Sequence, residues 1–222
     1  MQIPNIQGLI RRRLLVNFRV DPSVIQRQLP APFHPKLQAG YAVAGICLIR
    51  LENIRPKYVP SPFGINSENA VLRIAVTWED ERGLHDGVYI PRRDTSSLVN
   101  QLAGGRLFPG EHNRARFEVE ESDCHIRLRM ESLDHAVKVT LSATSSAVLP
   151  QGSCFRSLGE ASKFFETGSL GYSATSNGER LDGIQLLTQQ WNVEPLAVED
   201  VYSSYFTDNS VFREELRPLI AP

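Results

Sequence analysis

Residues able to do chemistry crowd into one short passage of this chain. Gly104-Gly105-Arg106-Leu107-Phe108-Pro109-Gly110-Glu111-His112 sets three ionisable side chains on a Gly/Pro loop. Backbone that side chains do not crowd can approach a ligand closely, so this loop reads as one wall of a ligand site. The planar fork of Arg106 could hold a ligand carboxylate bidentately, or equally pin the loop to a carbonyl or to Glu68. His112 belongs to the residue type that titrates near neutrality and could act as a general base with Glu111 orienting it. Neighbours on an extended segment face opposite ways, so that pairing needs the turn at Gly110. Arg73 lies on the polar face of an otherwise apolar strand, a face that could point inward in a barrel. Tyr89 and Arg92 close the strand before the loop and stand as further candidate contacts.

Other chemistries lack their spacing. His85-Asp86, Glu111-His112, Cys124-His125 and Asp134-His135 are adjacent pairs that diverge on a strand, and none aims two ligands at one ion, so no metal site is expected. No Gly-x-Ser-x-Gly elbow occurs, and Ser96-Ser97 and Ser203-Ser204 read as cap or surface residues. Gly104-Gly105 ends a helix instead of opening one, which gives the dipole the wrong sign for phosphate. Among four lysines, Lys36 and Lys57 fall in Pro-rich loops, Lys163 on a helix, and Lys138 mid-strand between Val137 and Val139. Solvent is the expected surrounding of Lys138.

The elements that must position these residues are mostly strands. Leu14, Val16, Phe18 and Val20 alternate with Arg13, Asn17 and Arg19 over residues 12–20, the pattern of a half-buried strand. Asp21-Pro22 caps a short helix over Ser23–Leu29, and 41–51 is apolar on both faces. From Glu52 to Ser67 four Pro/Gly positions predict a long loop, either functional or a cover over a sheet edge. Asn69–Glu79 alternates again, turns at Asp80-Glu81-Arg82-Gly83 and pairs back through Leu84–Ile90. Asp94 is the expected cap of a helix whose Leu98, Val99 and Leu102 share a face. Strands follow over Arg114–Glu121, Cys124–Glu131 and Ala136–Val148. Ser157-Leu158-Gly159-Glu160 is a capping box, Asn177-Gly178 signals a hairpin, and a helix is expected before Pro218. About nine strands and three or four short helices, without alternating β-α units, predict an α+β, mainly β antiparallel sheet or barrel.

Composition bounds the partners. Lys plus Arg number 24 against 25 Asp plus Glu, so no net field draws nucleic acid or anionic lipid. Arg11-Arg12-Arg13 reads as a solvated strand start. Three widely spaced cysteines argue for reduced thiols and a cytoplasmic setting. The longest apolar run, Tyr41 to Ile49, is nine residues, short of the ~20 that span a bilayer. A single domain over 1–222 is expected, with no cofactor and with homo-oligomerisation open.

Leu14-Leu15-Val16-Asn17-Phe18-Arg19-Val20-Asp21-Pro22, then a helix ending at Leu29-Pro30, resembles the opening of the acetoacetate-decarboxylase-like superfamily. So does Ser67-Glu68-Asn69 entering a strand, and Gly105-Arg106-Leu107-Phe108-Pro109 resembles that superfamily's Gly-Arg…Phe-Pro loop. Closer still is an uncharacterised bacterial branch, domain of unknown function family 2071. It shares the Val20-Asp21-Pro22 helix start, the strand Glu68-Asn69-Ala70-Val71-Leu72-Arg73 and a late Glu194-Pro195-Leu196. The resemblance implies a closed, double-psi-like barrel with a central cavity, and it makes Glu68 the match to the superfamily's active-site glutamate. It also implies a Schiff-base lysine pair after Phe-Pro, where this chain has Gly110 and Glu111. A carboxylate there would raise a nearby lysine's pKa, the reverse of what an amine nucleophile needs. Two readings follow. One is a binder of an organic acid or carbonyl compound anchored by Glu68, Arg73 and Arg106 with Tyr89 and Arg92 near; the other is a lyase- or hydratase-type enzyme using Glu68 and Glu111/His112 as acid–base groups. The missing amine favours the binder.

Overall fold

In the computed structural model, residues 5–105, 110–175, 178, 180–187, 191–207 and 217–220 are described. The chain opens with β1 (Ile6–Val20), α1 (Pro22–Gln26), β2 (His34–Pro35), β3 (Leu37–Gln38) and β4 (Tyr41–Pro56). A 3-10 turn (Ser61–Phe63) leads to β5 (Ile65–Asp80), β6 (Gly83–Thr95) and α2 (Leu98–Ala103). Then come β7 (His112–Glu121), β8 (His125–Ser132), β9 (Lys138–Ser145) and α3 (Leu158–Thr167). The last elements are β10 (Leu170–Ala174), β11 (Leu181–Gln185), β12 (Leu196–Ser203), α4 (Ser204–Thr207) and β13 (Arg217–Ile220).

Hydrogen-bonded neighbours run β12-β9-β8-β7-β6-β5-β4-β1-β13. The expected closed barrel is instead an open path, with β12 and β13 at its two ends and no ladder joining them among the described residues. Nor is it wholly antiparallel. The chain leaves β6, crosses through α2 and returns in the same direction, so Arg93, Asp94 and Thr95 pair in parallel with His112, Asn113 and Arg114. A second parallel contact sets Gly171 and Tyr172 of β10 against Val88 and Tyr89 of β6.

Alternation along the strands decides what lies on each side. Val16, Phe18, Ala44, Ile46, Leu48, Ala70, Leu72 and Ile74 point to one face and pack against Ala115, Leu128, Met130, Val139 and Leu141 from the other arm of the sheet. Those side chains occupy the interior expected to be a hollow; Ile46, Leu48, Leu128 and Val139 have no exposed surface at all. The opposite face is buried too. Leu15, Val43, Cys47 and Ala75 lie under Phe155 and, from α3, Ala161, Phe164 and Phe165.

Two local expectations change. The helix cap is Ser97, whose hydroxyl accepts from the Asn100 N–H, while Asp94 remains in β6 beside Ala70. Half of the stretch 52–67 is strand, because β4 runs to Pro56 through a bulge where Asn53 takes φ +56° and β5 starts at Ile65, which confines the loop to 57–64. Proline is tolerated at a strand end, where no ladder donor is lost. The helix expected before Pro218 falls beyond α4 on residues 208–216, which lie outside the described residues.

Candidate functional site

Glu68 stands at one end of the apolar core, one step past Ala70 on the same face. Cross-strand register puts Arg12 opposite Arg50 and Arg50 opposite Glu68, so three charged side chains form a row across β1, β4 and β5. Arg12 Nη2 donates to Glu68 Oε2 at 2.6 Å, and Arg50 Nη1 donates to Glu68 Oε1 at 3.3 Å. From the facing arm, Glu121 accepts from Arg12 Nη1 at 2.8 Å. The Arg12 and Glu68 side chains are 6% and 13% exposed, whereas Glu121 is half exposed. One clamp is therefore shielded from water and the other open to exchange. Arg12 Nε is buried without a partner. Ser96 Oγ accepts from the Glu68 N–H at 2.9 Å and fixes the backbone on which the carboxylate sits. Arg12 was not a solvated strand start at all: it extends the Leu14-Val16-Phe18-Val20 face by one step, a parity the sequence displays.

The remaining candidates do not gather around Glu68. Tyr89 lies opposite Ile74, six residues further along β5 and hence about 20 Å away by strand rise. It packs against Phe33, and burial raises its hydroxyl pKa. Arg92 is locked to Asp94 at 2.8 Å and to Asp134 at 2.9 Å, a bridge between the two arms of the sheet. Arg73 points away from the core face, donates to Asn17 Oδ1 and lies 4.7 Å from the Phe165 ring centre under α3. Burial lowers its pKa to about 10. Glu111 is exposed, and Arg106 lies outside the described residues.

His112 also belongs to the α3 side of the sheet. It pairs with Arg93, which pairs with Val71, whereas Asp94 and Ala115 face the core. Burial foremost, and then the Arg93 charge, push the imidazole down to about 4, so it is neutral at pH 7. Gly104 approaches so closely that a Cβ there would stand 2.6 Å from His112 Nδ1. Arg93 Nη2 donates to Ser173 Oγ of β10 at 3.1 Å, and its Nε is buried with no partner. Gly110 closes this group with φ +70°; a Cβ on it would meet Ser173 Cβ at 2.7 Å and Arg93 Nε at 3.3 Å. Glu68 and His112 thus occupy opposite faces, which separates the expected acid–base pair.

A family model described as an uncharacterized conserved protein, domain of unknown function 2071, matches residues 9–220. The chain belongs to this family. No curated protein matches it in sequence. Its fold is similar to the acetoacetate decarboxylase of Legionella pneumophila, at TM-score 0.60 and 11% identity over 100% of this chain and 86% of that one. An acetoacetate decarboxylase-like enzyme from Sphingomonas wittichii RW1 gives TM-score 0.62 and 14% identity, covering 100% and 89%. The enduracididine biosynthesis enzyme MppR, complexed with pyruvate, gives 0.53 and 12%, covering 100% and 87%.

In this family member each lysine has a place. Lys36 Nζ lies 2.8 Å from Asp86 and 4.6 Å from the Phe164 ring centre. Lys57 and Lys163 are exposed. Lys138 is 57% exposed with Nζ 3.7 Å from Glu131, facing solvent as its flanking valines require. The Glu131–Lys138 pair borders an open groove of about 520 Å³ with His135, Tyr202 and Tyr205, away from Glu68. Cys47 and Cys154 are buried and Cys124 exposed, all as free thiols. Among the described residues no three Cys, His, Asp or Glu side chains converge as metal ligands, and no helix is long and apolar enough to cross a membrane.

Proposed function

We propose that this protein binds a small organic acid or carbonyl compound at the Arg12–Glu68 end of its core, without forming a Schiff base. The observation that carries the reading is the shielded Arg12–Glu68 pair with a half-exposed Glu121 on the free side of the guanidinium. Glu121 is the replaceable partner: a ligand carboxylate or carbonyl oxygen takes its place on Arg12 Nη1, while Glu68 and Arg50 keep the fork aimed. Exchange of one carboxylate for another retains the charge-assisted bond and releases Glu121 to water, so it costs little. The apolar part of the ligand then lies toward Phe117 and Val119, which sit on the same face of β7.

Amine-free binding is supported by the lysine positions and by Gly110. The turn that would carry the superfamily's nucleophile has no room for a Cβ beside Ser173. The similarity to acetoacetate decarboxylases and to pyruvate-bound MppR supports the ligand class. The acid–base alternative is less well supported, because His112 lies across the sheet from Glu68 and holds a proton only in acid. Placement in the cytoplasm fits the free thiols and is part of the same proposal.

The test is a melting-temperature series with 2-oxo acids and short- to medium-chain carboxylic acids, read beside product analysis. A ligand at ~100 times its Kd adds about 2.7 kcal/mol of stability. Stabilisation without turnover, kept or strengthened in Glu121→Gln and lost in Arg12→Met, is expected. Borohydride trapping that labels any lysine, or turnover abolished by Glu68→Gln, would overturn it.

A further inference from the structure

On the other face of the sheet, Arg93 has no counter-charge. Among the described residues its guanidinium has one hydrogen-bond partner, a serine hydroxyl, and no carboxylate lies within ion-pair reach. Buried charges are ordinarily paired, since an isolated ion loses its hydration. The surroundings supply no negative charge. Ser173 Oγ accepts from Arg93 Nη2, which leaves the serine hydrogen to donate, and Arg93 Nε–H has nothing to give to. The imidazole of His112 is neutral and supplies no negative charge. Gly110 lacks the Cβ that would stand 3.3 Å from the buried Nε. Arg93 as a residue is only part-buried.

We propose that Arg93, Ser173 and Gly110 form a second, anion-binding site that takes a carboxylate group. The carboxylate accepts from the guanidinium and from the Ser173 hydroxyl, and it supplies the charge the cluster lacks. A planar two-oxygen anion fits the flat fork better than a spherical halide. The site lies across the sheet from Glu68 and stands whether or not that end of the core binds a ligand.

The experiment compares the melting temperature of the intact protein in sodium acetate and in sodium chloride at equal ionic strength, for wild type, Arg93→Met and Glu68→Gln. The expected result is a saturable rise in acetate over chloride in wild type and Glu68→Gln, and in Arg93→Met a smaller rise, limited to what the Arg12 end contributes. Arg93→Met in chloride should melt no lower than wild type, because it removes a charge that has no partner. Should that variant fail to fold, the Nε–H resonance of Arg93 in ¹⁵N-labelled wild type serves instead, assigned through Arg93→Lys and expected to shift saturably with acetate. No excess stabilisation by acetate, an equal rise in Arg93→Met, or an unmoved Nε–H signal would overturn the site. Loss of the acetate effect only in Glu68→Gln would assign it to the core end and equally refute Arg93.

Discussion

Two arginines on opposite faces of the β-sheet, Arg12 buried and Arg93 part-buried, show opposite ways of sheltering a charge. Arg12 is surrounded by carboxylates, at 2.6 Å to Glu68 and 2.8 Å to Glu121, and these bonds tie the two arms of the sheet together. Arg93 has a hydroxyl, a neutral imidazole and a glycine, and burial alone lowers its pKa to about 10. The first cluster balances its charge with the chain's own side chains and serves the fold as well as any ligand. The second is left in deficit, and a deficit of charge in a sheltered place is the better pointer to something outside the chain. Charge balance thus separates residues that burial alone would rank together.

That contrast predicts unequal responses to mutation. Arg12→Ala leaves the sheltered Glu68 carboxylate with only the more exposed Arg50, and it should cost about 3–5 kcal/mol in urea unfolding, the range for breaking a buried pair. A loss near zero would mean that water already solvates the cluster and the two arginines do not differ. Gly110→Ala should cost about 1–3 kcal/mol, since φ +70° and the 2.7 Å approach to Ser173 both oppose a side chain. An unchanged melting curve would show that the Arg93 wall is loose.

Acid should act through His112. Its folded pKa, about 4, lies below the ordinary 6.5, so the unfolded chain takes up a proton first as pH falls. The contribution is complete above pH 6.5 and is lost as pH falls toward 4, by up to about 1.4 kcal/mol per pH unit. Unfolding free energies at pH 7 and pH 5 should differ less in His112→Gln than in wild type. An identical slope in both proteins would deny the imidazole its sheltered place beside Arg93. The smallest effect belongs to Glu121→Gln, below about 1 kcal/mol in the unliganded protein, because that side chain is half in water. A larger loss would make Glu121 a fixed member of the clamp and not a place-holder.

Much of the sheet was legible in the chain. The even-numbered run Leu14, Val16, Phe18, Val20 and its partner run from Ala70 to Val76 identify the core face by parity, and Ser157 and Glu160 cap their helix as expected. Parity also held information about the site. Arg12 continues the core face of β1, and Glu68 and Arg73 differ by an odd step, so they could not share a face on an unbroken strand. The bulge in β6 between Leu72 and Ile74 of its partner was not legible. It shifts Tyr89 and Arg92 onto one face despite their odd spacing. Leu98, Val99 and Leu102 share a helical face as periodicity suggests, yet each is more than half exposed, because propensity does not say whether a neighbour covers the face.

The sequence by itself determined the strands, the family resemblance and the absence of an amine after Phe108-Pro109. Those are properties of residue type and local period, which adjacent atoms enforce. Only the tertiary structure decided that Glu68 keeps company with Arg12, Arg50 and Glu121 while His112 stands with Arg93 on the far side. Register between strands distant in the chain makes that choice, and it turns on bulges and on one parallel crossing through α2 whose geometry no short stretch of residues contains.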